Sequence, residues 1–223
     1  MKLLIAVVQC TRDRWRIPAH REMLKGKGTP SMQVDVRFFY GRQPGFLFGK
    51  EPVCEPERGP DEVELDVDDG YYVLVQKVCA IFEWALARDY QFVMKIDADT
   101  FLDVPKLLQA GFEQHDWVGL MGDKGASGGV AHCTSGGVGI WLSRKAMWTF
   151  LATYPEMPAG KMHQWDDWAL SLTLAKAGIK PVNSDLLWNF DLGPADKEKL
   201  ISWHGWTPDA GRAEQRGGGE WKG

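Results

Sequence analysis

Seven consecutive residues carry the clearest chemical signal in the chain, Lys95-Ile96-Asp97-Ala98-Asp99-Thr100-Phe101. The apolar stretch before them, Gln91 to Ile96, predicts a strand that runs directly into the acid pair. Side chains of a strand alternate with period two, so Asp97 and Asp99 are expected on one side where the strand ends. Ligands of open α/β sheets gather at such ends. Two carboxylates converging there repel unless a cation lies between them. Hard divalent ions such as Mn²⁺ or Mg²⁺ take oxygen ligands and keep positions open for phosphate oxygens. The plainer alternative is that one Asp caps the next turn while the other is hydrated.

Three further clusters could share in that chemistry. Ser135-Gly136-Gly137-Val138-Gly139 allows close backbone approach to a ligand, or simply a hairpin or bulge. It is not a phosphate-binding P-loop, since no Gly-Lys-Ser/Thr follows. Trp165-Asp166-Asp167-Trp168 is expected to open a helix. Neighbouring helical residues point about 100° apart, so one of the two acids is expected to face a common site. An N-cap with a first-turn acid explains the same pair without function, and the helix start should depress a carboxylate's pKa and weaken it as a base. Last, Trp203-His204-Gly205-Trp206 places an imidazole near the end of the chain, where a metal is one way to hold it. Tryptophan is frequent, 11 residues of 223, and beyond filling a core its faces suit sugar rings.

The elements that must carry these clusters are legible from local pattern. Leu3 to Val8 is a continuous apolar run, expected of a parallel strand buried on both faces. A basic stretch, Arg12 to Arg21, leads into a helix starting near Pro18. Val34 to Tyr40 predicts a second strand. Residues 41 to 69 are rich in Gly and Pro and end in the acidic run Asp61 to Asp69, expected to be a solvated loop with a short strand at Val63-Leu65. Leu74, Val78, Ile81, Phe82 and Ala85 fall at helical spacing within an amphipathic helix from Tyr71 to Arg88. After the acid pair come a short helix from Pro105 to Leu108 and a strand from Trp117 to Met121. A glycine-rich loop (Gly122 to Gly129) and a strand from Gly139 to Leu142 follow. Ser143 should cap a helix reaching Leu151. Asp166 or Asp167 should cap a helix to Ala177 that stops at Gly178. The tail from about 207, with its Gly217-Gly218-Gly219 run, is expected to fray. Alternating strands and helices predict one α/β domain with a mostly parallel central sheet flanked by helices, over residues 1–206.

Composition narrows the function classes. Lys and Arg number 26 against 30 Asp and Glu, a net charge of -4, which argues against a nucleic-acid partner. The four cysteines, Cys10, Cys54, Cys79 and Cys133, have no zinc-finger spacing, and Cys10 and Cys79 lie in apolar runs expected to bury reduced thiols. The opening run is too short to span a bilayer and lacks a cleavage pattern, and no transmembrane segment follows. A soluble, cytoplasmic protein is the expectation.

Taken in series, these segments resemble the β-1,3-glycosyltransferases of the galactosyltransferase/Fringe superfamily, which have the GT-A fold. The metal-motif stretch of that family is similar to Phe92-Val93-Met94-Lys95-Ile96-Asp97-Ala98-Asp99-Thr100-Phe101-Leu102-Asp103-Val104-Pro105, with Ala98 in place of the middle acid. Asp69-Gly70-Tyr71, Leu74, Lys77 and Trp84 resemble its "DSY…L..K…W" helix. Ser135 to Ser143 resembles its "SGGAGYVLS" stretch, Asp166-Asp167-Trp168 to Gly178-Ile179 its "ED-V" helix, and Trp203-His204 its late Phe-His. Arg12, Arg14 and Trp15 resemble its arginine-and-tryptophan segment after the first strand. The likeness covers roughly residues 65 to 205.

The resemblance implies a metal-dependent inverting hexosyltransferase acting on a UDP-sugar donor and a glycan hydroxyl, with a β-1,3 linkage. In it, Asp97, Asp99 and His204 would hold Mn²⁺ or Mg²⁺, and Asp167 would serve as base. Arg12, Lys77, Lys95, Asp97 and Ala98 would line the donor. Ser135, Gly136, Gly137, Trp165 and Asp166 would form the loop between donor and acceptor. Two alternatives stand beside it. One is a phosphoryl-transfer enzyme, because haloacid-dehalogenase phosphatases also set DxD after a strand. There, however, a Thr or Val two residues beyond the second Asp is expected, where this chain has Phe101. The other is a carbohydrate-binding relative without catalysis.

Overall fold

The computed structural model describes residues 1–25, 28–42, 58–121, 134–156, 165–188 and 198–206. Its frame is a seven-stranded sheet in the order β3-β2-β1-β4-β7-β6-β8. These strands are β1 Lys2–Val8, β2 Gln33–Arg42, β3 Glu62–Asp68, β4 Phe92–Asp97, β6 Trp117–Gly119, β7 Ile140–Ser143 and β8 Val182–Asn183. Neighbours pair in parallel except at β7, which runs antiparallel to both β4 and β6. A smaller three-stranded sheet joins β5 Thr100–Leu102, β10 Ser202–His204 and β9 Leu187–Trp188 in the order β5-β10-β9.

Strand β1 sits between β2 and β4, so every residue of its apolar run has a ladder partner on one or both sides. Its period-two alternation divides the core. Leu4, Ala6 and Val8 pack with helices α2 Leu74–Leu86, α4 Arg144–Thr153 and α5 Asp166–Lys176. Leu3, Ile5 and Val7 pack with α1 Ile17–Met23 and α3 Val104–Leu107 on the other face. Fully burying one such aliphatic side chain is worth about 1.5–3 kcal/mol, and both faces of the sheet gain it. The layers are therefore helix, sheet, helix.

Several boundaries follow from local chemistry. Pro18 lies in the first turn of α1, where its missing N–H costs nothing. The Ser143 hydroxyl accepts from the Ala146 amide at 3.2 Å and caps α4, as its position predicts. Two expectations need correction. The acidic run is not a solvated loop, because β3 spans seven residues and lies beside β2. Val63, Leu65 and Val67 alternate with the acids, and it is this apolar face that packs into the core. Neither Asp166 nor Asp167 caps α5: Trp165 holds the N-cap position, and both acids lie within the first turn.

The glycine-rich stretch expected at 122–129, the tail expected from 207 and the cysteines at 54 and 133 lie outside the described residues. Cys10 and Cys79 are free thiols, half-buried rather than fully buried. No described helix is long and apolar enough to cross a membrane.

Candidate functional site

The crossover from β3 through α2 to β4 carries the chain from one side of β1 to the other. The strand order therefore reverses between β1 and β4, the place where open α/β sheets leave a crevice at their carboxyl ends. Asp97 is the last residue of β4 and pairs in register with Val8, the last of β1. Past Asp97 the chain turns at Ala98 and Asp99 before starting β5 at Thr100. The Thr100 hydroxyl accepts from the Asp97 amide at 3.2 Å and donates to the Gly137 carbonyl, which fixes the turn from inside.

His204 enters from the far end of the chain because β10 pairs antiparallel with β5, with His204 opposite Thr100. Its Nε2 lies 3.2 Å from Asp99 Oδ1. Asp97, Asp99 and His204 each offer a ligand atom, and these atoms lie within 4.8 Å of one another. The hydrogen bond to Asp99 raises the His204 pKa against the opposing effect of burial. Burial would raise Asp99, but the bond and charge of His204 outweigh it and hold the carboxyl below its usual range.

Beneath the turn lies a second acid pair joined by one lysine. Lys95 and Asp97 share parity with Val93, so they face the side of the sheet on which α5 packs. Lys95 is buried, with its ammonium 2.6 Å from Asp97 Oδ1 and 2.6 Å from Asp166 Oδ2. Burial works to lower its pKa, but the two carboxylates prevail and keep it charged. Asp166, in the first turn of α5, thus turns inward to the lysine. Its neighbour Asp167 accepts from the Gly136 amide at 3.3 Å and from the Trp168 amide at 2.8 Å. Burial, with the charge of Asp166, raises the Asp167 pKa above the ordinary carboxylate value. The direction is opposite to the depression expected at a helix start, because desolvation and the Asp166 charge outweigh Lys95 and the two amide hydrogen bonds.

The two glycines bring these halves together. A Cβ on Gly136 would stand 3.1 Å from Asp167 Cβ, and one on Gly137 would stand 3.0 Å from the His204 ring. Their lack of side chains therefore serves contact with the protein's own acid and imidazole.

The remaining expected contacts divide. Lys77 is buried and binds Asp69 Oδ1 at 2.7 Å and the Gln9 carbonyl at 3.1 Å. Asp69 also accepts from the Gly41 amide at 2.8 Å and from the Thr11 amide, so this pair ties the ends of β1, β2 and β3. Lys77 and Lys95, both expected at the donor, have their ammonium groups engaged by protein oxygens. Arg12 is exposed on the 3₁₀ turn Thr11–Arg16. Ser135 is half-buried, with its amide on the Leu120 carbonyl. Trp165 is 38% exposed and stands edge-on to Trp168 beside the acids. Ala98 lies half-buried in the turn between Asp97 and Asp99. Sequence reasoning missed Thr100, although a hydroxyl directly after an acid pair at a strand exit is a common source of local backbone bonds.

The donor set suits a divalent cation. Four carboxylates (Asp97, Asp99, Asp166 and Asp167) meet one ammonium and one imidazole, leaving negative charge in excess. Two carboxylate oxygens and one imidazole nitrogen together could hold such an ion. Compared with known proteins, the sequence matches no protein-family model and no curated protein at a significant level.

Proposed function

We propose that this protein is a metal-dependent inverting glycosyltransferase of GT-A type that moves a hexose from a UDP-sugar to a glycan hydroxyl. The observation that carries the reading is the convergence of Asp97, Asp99 and His204 at the β1/β4 switch point, with Lys95 linking that turn to the helix bearing Asp167. The sequence resemblance to the β-1,3-glycosyltransferases supports it, as does a mostly parallel sheet with helices on both faces.

Asp97, Asp99 and His204 would hold Mn²⁺, which supplies Lewis-acid neutralisation of the departing diphosphate when bound. Asp167 takes the proton of the acceptor hydroxyl. The acceptor oxygen then bonds to the anomeric carbon from the face opposite the leaving group. The bond from that carbon to the diphosphate oxygen breaks, and UDP departs with the electron pair. A raised pKa makes Asp167 a stronger base than an exposed carboxylate. Lys95 holds Asp97 and Asp166 in place, and Asp166 in turn helps to keep Asp167 basic.

The test is UDP release from a panel of UDP-sugars with Mn²⁺, run beside phosphate release from small monoesters. Asp167→Asn should retain UDP affinity while transfer falls on the order of 10²-fold or more. Phosphate release without UDP release would select the phosphoryl-transfer alternative instead.

A further inference from the structure

Asp99 and His204 come from segments more than a hundred residues apart, and a third segment joins them. The Trp206 amide donates to the Asp99 carbonyl at 2.7 Å, two residues beyond His204. The Trp206 carbonyl accepts from Arg16 Nη1 at 3.0 Å. Its indole is 6% exposed and meets the His20 ring edge-on, with centroids 5.0 Å apart. His20 belongs to α1 and is fully buried, and burial pushes its imidazole down to about 4, so it packs as a neutral ring. Arg16 is the last residue of the 3₁₀ turn after β1, and its guanidinium also lies over Trp15. Thus β10, a strand of three residues, is continued by a residue pinned to both the acid turn and the first crossover.

We infer that Trp206, anchored by Arg16 and His20, is a positioning residue that holds His204 and the Asp99 turn in ligand geometry. The inference rests on the metal reading above. A side chain on a short terminal strand loses its bearing when the backbone beyond it is released, and outer partners of metal ligands commonly contribute 10- to 100-fold in affinity. Arg16 makes the idea separable from electrostatics. Its positive charge acts on Asp99, so removing it should by charge alone strengthen cation binding. Loss of positioning predicts weaker binding.

The experiment titrates the intact protein with Mn²⁺ and follows free ion by EPR, with the ¹⁴N modulation of bound Mn²⁺ reporting the imidazole. Wild type should show the nitrogen coupling. Trp206→Ala should bind Mn²⁺ at least ~10-fold more weakly and lose that coupling, while Trp206→Phe, which keeps an aromatic edge on His20, retains it. Arg16→Gln, which does not empty the core, should also bind more weakly. Wild-type affinity and nitrogen coupling in Trp206→Ala, or tighter binding in Arg16→Gln, would overturn the inference. No Mn²⁺ binding by wild type would overturn the metal reading itself and leave nothing to position.

Discussion

Two charged clusters on the same sheet are composed in opposite ways. Beside β3, Arg14 meets Glu62 at 2.7 Å, and Arg21 bridges Asp61 at 2.5 Å and Glu62 at 2.9 Å. Two guanidiniums thus face two carboxylates, and the cluster is neutral. At the end of β4, Lys95 is shared by Asp97 and Asp166, while Asp99 and Asp167 stand close by. The first arrangement satisfies itself and ties the 3₁₀ turn and α1 to β3. The second keeps an excess of negative charge, partly exposed, where the sheet opens. A group of acids held together by design of the fold, yet short of cations, is an arrangement that a divalent ion completes.

The contrast can be broken most severely at Lys95. Lys95→Met leaves Asp97 and Asp166 facing each other without a partner, and urea unfolding should show a loss of about 3–5 kcal/mol. Saturating Mn²⁺ should recover part of it. If the variant is as stable as wild type, the lysine is not the strut described here.

Next in size is the effect of the ion on wild type. At a hundred times its dissociation constant, Mn²⁺ should stabilise by about 2.7 kcal/mol, which for a chain of this length raises Tm by roughly 5–10 °C. Asp99→Ala should abolish that shift, and an unchanged shift would remove Asp99 from the ligand set.

The pH dependence is smaller and has opposite signs with and without metal. The His204 pKa is raised, so the ion pair with Asp99 contributes stability that is fully present below the unfolded value of 6.5 and is lost as pH rises through the folded value. The depressed Asp99 contributes above its unfolded value of 3.8, a contribution lost as pH falls through the lower folded one. Metal binding requires the neutral imidazole. Mn²⁺ affinity should therefore climb with pH, by about tenfold per unit below the His204 pKa, and level off above it. A flat profile in calorimetric titrations from pH 6 to 8 would mean that His204 is not a ligand.

The smallest effect belongs to the balanced cluster. Arg21 is 38% exposed, and Arg21→Ala should cost about 1 kcal/mol or less, with no change in Mn²⁺ affinity.

Much of this architecture was legible locally. The apolar run of β1, the helical spacing of α2, the Ser143 cap and the strand leading into Asp97 are properties of neighbouring residues, and backbone geometry reads them directly. The β3 strand was legible too, through the alternation of Val63, Leu65 and Val67, but its acids masked the period. The short strands β8, β9 and β10 were not. Two or three residues carry no period, and they are strands only because a partner lies beside them.

At the site, residue types told which groups could bind a cation, and chain order told that they end a strand and begin a helix. Strand parity proved to govern Lys95 and Asp97, whereas Asp99 converges through the turn that follows. Only the tertiary structure decided that His204 comes to that turn, that Lys95 bridges Asp97 and Asp166, and that burial makes Asp167 more basic. Each of these depends on distance and desolvation between segments far apart in the chain, quantities that no stretch of neighbouring residues contains.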